Sequence, residues 1–136
     1  MQLNTKLIMT LSAVFLGIIG IGLTFLPNEI AALTGISPSK ILLLILQILG
    51  ALYFSFAMLN WTAKGAIIGG IYNKPIATAN LTHFMIGALA LIKALLNNHD
   101  LPCGIWVLAG IYSIFAVIFG MMFFRHPSSG TAPFTS

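Results

Sequence analysis

Four stretches of the 136-residue chain, residues 7–26, 41–61, 76–96 and 104–124, contain a single charged residue between them, Lys93. At a rise of 1.5 Å per residue, each stretch makes a helix about 30 Å long, the thickness of a bilayer's hydrocarbon core. Inside that core every backbone N–H and C=O must find a partner within the protein, and a helix does so within one segment. The pattern therefore predicts an all-α integral membrane protein, a four-helix bundle forming a single transmembrane domain over residues 1–136. The Ser-, Gly-, Thr- and Pro-containing end, residues 125–136, is expected to be a short disordered tail.

Composition agrees with this. Charged residues make up 6% of the chain and hydrophobic residues 59%, against about 25% and 45–50% in soluble domains. Lys6 ahead of the first stretch resembles the start of a signal peptide. That stretch exceeds the 7–15 residues of such an apolar region, however, and no small-x-small cleavage site closes it, so a retained span is expected. Pro38, Pro75 and Pro102 sit just ahead of the other three spans, where a missing N–H does least harm, and Ser39 suits a helix cap.

Orientation comes from the basic residues. With four spans, Lys6, Lys64, Lys74 and Arg125 share one face and Lys40 and Lys93 the other, which places both termini in the cytoplasm. The apolar connection between Lys64 and Lys74 is too short to cross and is expected at headgroup level, with Trp61 and Tyr72 near it. Trp106 marks the opposite interface.

Several activities lose support at this stage. The six basic residues are scattered singly, where a nucleic-acid surface needs a cluster, so no nucleic-acid partner is expected. Cys103 is the only cysteine, which excludes an internal disulfide and a CxxC redox pair. No span carries Asp or Glu, the buried carboxylate a small proton-coupled exporter needs. Three further features read as structural. Lys93 is close enough to its helix end to snorkel, the neighbours His99, Asp100 and Cys103 need not converge, and Asn60 and Asn80 open chance glycosylation matches. No catalytic residue and no metal site are expected.

Spans associate through small residues that let backbones approach, and through occasional hydrogen bonds. Steps of three and four residues place such residues on one face of each span. These are Ala13, Gly17 and Gly20 in the first; Ala51 and Ser55 in the second; Gly87 and Ala90 in the third; Ser113, Ala116 and Gly120 in the fourth.

Asn80 and His83 lie one turn apart in the third span, and Gln47 of the second is a possible partner for them. Two readings stay open. In one, the three side chains hydrogen-bond each other and hold the bundle together. In the other they form a ligand site in which His83 transfers a proton or donates to the carbonyl of a quinone, the one cofactor considered. Haem ligation fails for want of a second imidazole at membrane depth, since His99 and His126 fall at or beyond span ends.

Pro27, Ile30, the run Leu33-Thr-Gly35-Ile36 and the segment from Leu46 through Gly50 to Ala57 resemble the DoxX-like group of small four-helix membrane proteins. Where that group would place a basic residue, this chain has Gln47. The resemblance implies four spans over most of residues 1–125. It also implies roles that range from subunits of quinone-linked oxidoreductases to assembly factors.

These readings together lead to an expectation of a multi-pass protein of a bacterial-type cytoplasmic membrane. Its partners would be the lipid bilayer and a protein partner or further copies of itself, and its role that of a non-enzymatic accessory or assembly component. The alternatives are a quinone-binding or redox-accessory subunit and a small oligomeric transporter or flippase.

Overall fold

The computed structural model describes residues 4–35, 37–65 and 74–124, and all regular structure among them is helical. Five helices come in order: α1 (Thr5–Phe25), α2 (Pro27–Leu33), α3 (Lys40–Ala63), α4 (Lys74–Asn97) and α5 (Cys103–Phe124). The four long ones, α1, α3, α4 and α5, are the expected spans. Each is long and apolar enough to cross a membrane, with mean hydropathy of 2.2, 2.3, 1.6 and 2.3 in turn. This is the architecture of a helical multi-pass membrane protein. The connection around Tyr72, as well as Arg125, His126 and the expected tail, lie outside the described residues.

The helix starts obey local chemistry. Asn4 caps α1 by accepting from the Leu7 N–H, and Ser39 caps α3 by accepting from the Leu42 N–H. Pro75 occupies the first turn of α4.

Helix α2 is an element that the sequence pattern does not predict. Leu26 precedes a proline, which disfavours helical backbone there, and it sits at φ −124°, ψ 44°, ending α1. Pro27 then opens α2 as its first residue, with the Ile30 N–H donating to the Leu26 carbonyl. Gly35, at φ 72°, ends it in the left-handed region. Gly35→Ala is expected to cost about 1 kcal/mol at this turn. Amide exchange should then quicken at Thr34 and Gly35 and stay unchanged in the middle of α1 and α3.

The helices fall into two compact units, one holding α1, α2 and α3 and the other α4 and α5. In the first, α3 runs antiparallel to α1, so that Ser12 meets Asn60, Gly17 faces Ala57, and Gly20 meets Gly50 and Phe54. The backbones nearly touch at Gly20 and Gly50. A Cβ on Gly20 would lie 2.7 Å from the Phe54 nitrogen, and one on Gly50 would lie 2.8 Å from the Gly20 carbonyl oxygen. Glycine is required at both positions because any side chain would meet main chain, which cannot swing aside.

In the second unit, α5 returns antiparallel to α4 after a short connection. Phe84 is fully buried and stacks on Phe115 and Phe119 with ring centroids 4.7 and 5.5 Å away, and it meets Tyr112 edge-on at 5.3 Å.

The small residues occupy different environments. Ala13, Gly20 and Ala116 are buried; Gly17, Gly87, Ser113 and Gly120 are half-buried; Ala90 is exposed. Within its unit α3 meets α1 through Gly50, Phe54 and Ala57, while Gln47, Ala51 and Ser55 are exposed. Gly50 decides this: with no Cβ it admits the α1 backbone more closely than alanine or serine can, so the helix turns that side inward.

Candidate functional site

A hydroxyl or amide at membrane depth has no water to bond to, so its partners come from the protein. Most hydroxyls here use the nearest acceptor, the carbonyl one turn back. Thr24 donates to Gly20, Ser55 to Ala51 and Ser113 to Ala109, at 2.8–2.9 Å. Two clusters do something else.

In the first unit, Ser12 and Asn60 are both fully buried. The Asn60 Nδ2 donates to the Ser12 Oγ at 3.0 Å, while the Ser12 Oγ donates to the Met9 carbonyl at 3.0 Å. The serine hydroxyl thus serves as acceptor and donor at once, and the pair links α1 to α3 two turns from the glycine crossing. A Ser12→Ala/Asn60→Ala double-mutant cycle is expected to give a coupling of about 0.6 kcal/mol, the average for such bonds between membrane helices. Stability of the four proteins in mixed micelles reads it directly.

In the second unit, the Tyr112 hydroxyl and the His83 Nε2 lie 3.2 Å apart, joining α5 to α4. Tyr112 is buried and His83 half-buried. The ring of Tyr112 reaches this position because Gly87, one turn beyond His83, leaves room for it: a Cβ there would lie 2.6 Å from the Tyr112 Cδ1. The imidazole also meets the Phe84 ring edge-on at 5.1 Å. Gly87→Ala should push the phenol off its seat and cost about 1–3 kcal/mol, as overpacking does. Tyr112→Phe, which removes only the hydroxyl, should cost less than Gly87→Ala in the same thermal melt.

The three polar residues singled out from the sequence are placed differently from one another. Asn80 is buried on α4 and its Nδ2 donates to the Ile76 carbonyl at 3.0 Å. His83 lies one turn further along α4 and bonds to Tyr112. Gln47 belongs to the other unit and is exposed on α3. Sequence reasoning does not single out Tyr112 or Ser12, and it reads Asn60 only as the start of a chance glycosylation match. The available signal is position: Ser12 and Tyr112 are polar groups inside apolar spans, and Asn60 is a polar group at the end of one.

Among the described residues no three His, Cys, Asp or Glu side chains gather as a metal site. His99, Asp100 and Cys103 are each exposed. No buried side-chain nitrogen or oxygen among the described residues lacks a partner. The Lys64 ammonium sits 3.0 Å from the centre of the Trp61 ring, a cation–π contact at the end of α3.

The arrangement can hold a proton between phenol and imidazole and can offer hydrogen bonds at the edge of the α4–α5 pair. Comparison with protein-family models, with curated proteins and with solved structures finds no match to this chain.

Proposed function

We infer that the chain is an accessory or assembly component of a bacterial-type cytoplasmic membrane, with both termini in the cytoplasm, acting through its helix faces rather than by catalysis. One observation carries this reading: the four long helices are apolar around their whole circumference, with mean hydropathy of 1.6 to 2.3 and no Asp or Glu in any of them. Such faces serve lipid and partner helices alike, because hydrocarbon and leucine side chains are equally apolar and association depends on packing and hydrogen bonds. The orientation rests on the four basic residues assigned to one side against two on the other. A reporter fused after Ser136 and active only outside the cytoplasm would refute it.

Native mass spectrometry of the protein, extracted from its own membrane in a mild detergent, tests the accessory role. A retained protein subunit supports it. Release of the bare chain with a bound small molecule would count against it.

A second reading, a quinone-binding or redox-accessory subunit, is favoured by the His83–Tyr112 pair. An imidazole and a phenol held together at membrane depth can donate to a quinone carbonyl, with Asn80 one turn away. Quinone analogues that neither bind nor raise the melting temperature would dismiss this reading, as would a His83→Gln variant with unaltered binding.

A further inference from the structure

The two compact units share a pattern that neither reading uses. Residues 49–59 of α3 read LGALYFSFAML, and residues 108–118 of α5 read LAGIYSIFAVI. Leu, Tyr, Phe and Ala recur at the same places, and most of the other changes exchange like for like. The preceding helices match at a shift of 68 residues, with Lys6 falling on Lys74. Ser12, Leu16 and Gly20 are buried in α1, as their counterparts Asn80, Phe84 and Ala88 are in α4. Across residues 6–25 against 74–93, and 42–63 against 101–122, no position is buried in one unit and exposed in the other. The packing register agrees too. Gly20 meets Phe54 where α1 crosses α3, and their counterparts Ala88 and Ser113 border one groove between α4 and α5. The shift between α3 and α5 is 59 residues, and the difference of nine is the length of the segment from Pro27 to Gly35 that carries α2.

We propose that α4–α5 is a second copy of the α1–α3 hairpin, and that His83 and Gly87, where the copies differ beside a shared tyrosine, turn Tyr112 into a binding site for a membrane-soluble molecule with a carbonyl oxygen. For its ligand class this rests on the quinone reading. Tyr112 corresponds to Tyr53, His83 to Phe15 and Gly87 to Ile19. The first hairpin thus shows what the scaffold uses at these places, a phenylalanine and an isoleucine that sit well in hydrocarbon. In the second, an imidazole at membrane depth gives up its water and a glycine gives up helix propensity. These two unfavourable replacements converge on one ring. Gly87 leaves the space that Tyr112 fills, and His83 bonds to its hydroxyl. Tyr112 is buried accordingly, while Tyr53 is half-buried.

A neutral phenol and a neutral imidazole carry one polar proton each, and their mutual bond uses one, which suits the pair to an acceptor such as a carbonyl oxygen. Asn80 belongs to the scaffold instead. Its counterpart Ser12 is likewise polar and buried, and each side chain donates to a carbonyl of its own helix.

Titration of the full-length chain in lipid nanodiscs with a short-tailed benzoquinone tests the site. His83→Phe/Tyr112→Phe removes both partners of the bond with little change of shape, so the melting temperature should hold while affinity falls by about fivefold or more. In the reverse exchange, Phe15→His/Ile19→Gly gives the first hairpin the residues of the second beside Tyr53 and should add a second site. Misfolding cannot produce such a gain. Unchanged affinity in His83→Phe/Tyr112→Phe would overturn the proposal, with the quinone bound elsewhere. So would a melting temperature lowered as far as that of Gly87→Ala, which would mark the pair as part of the packing. A Phe15→His/Ile19→Gly protein that melts normally and gains no site would count against the equivalence of the hairpins. An unaltered chain that binds no quinone would dismiss the quinone reading and the ligand class named here with it.

The duplication has its own test, free of any ligand. Deleting residues 27–35 makes the first connection equivalent to the one between α4 and α5, and the shortened chain should still insert and melt cooperatively. Loss of its helical fold would overturn the duplication.

Discussion

Gly20→Ala and Gly50→Ala are each expected to destabilise the α1–α3 pair by about 1–3 kcal/mol, while Gly17→Ala leaves it nearly unchanged. The three glycines look alike in sequence. They differ in what a methyl group would meet. At Gly17 it would lie 3.6 Å from the Ala57 Cβ, an ordinary contact. At Gly20 it would lie 2.7 Å from the Phe54 nitrogen and 2.9 Å from the Gly50 oxygen, and at Gly50 2.8 Å from both the Gly20 oxygen and the Thr24 nitrogen.

Those neighbours are main chain in a continuous helix, so relief requires the two helices to separate, which sacrifices packing along their length. The separation would also strain the Ser12–Asn60 hydrogen bond further along the same seam. Titration with a denaturing detergent from mixed micelles, monitored by loss of helical signal, provides the comparison. Equal stability of all three variants would show that the crossing is looser than described.

The second large effect is expected in the other unit. Phe84→Ala should cost about 2–3 kcal/mol, toward the lower part of the range for phenylalanine truncation in soluble cores. The reduction has a physical basis. In a membrane, the ring of a separated helix rests in hydrocarbon, so little is lost by transfer, and the cost comes from the cavity and the missing contacts. Phe84 has many such contacts, since it is fully buried and touches Tyr112, Phe115 and Phe119 as well as the His83 ring. Phe123→Ala is the comparison. That ring packs edge-on to Phe124 near the end of α5, is 38% exposed, and should cost under about 1 kcal/mol. Thermal unfolding of the two variants in one detergent distinguishes them, and near-equal losses would argue against a packed aromatic core.

The same glycine logic explains how the His83 site is built. Gly87 has no neighbour in sequence that marks it as special, yet it leaves the space into which the Tyr112 ring settles, and the hydroxyl reaches His83 only because of it. His83 and Asn80 are visible in the sequence as polar residues one turn apart. Their partners are not, because hydrogen bonds between helices depend on which faces meet.

The spans themselves are legible from the chain alone, since length, apolarity and the near absence of charge leave helices as the only way to satisfy the backbone in hydrocarbon. The cap at Ser39 and the first-turn proline of α4 are legible for a similar reason: they depend on residues within one turn. Pro27 is visible too, but in sequence it reads as the flank of a span. Whether a proline ends a helix or starts another depends on the residues after it, and Gly35 closes α2 through a backbone angle that sequence does not display.

Packing faces are the least legible feature. In a soluble helix one polar side identifies the face turned to water, whereas in α3 every side is apolar and lipid competes on equal terms with protein. Small residues lie on more than one side of α3, Gly50 and Ala57 on one and Ala51 and Ser55 on another, and the sequence does not mark which of them meets α1. The choice between them comes down to two missing methyl groups, on Gly20 and Gly50, which allow two backbones to meet where a single Cβ would hold them apart.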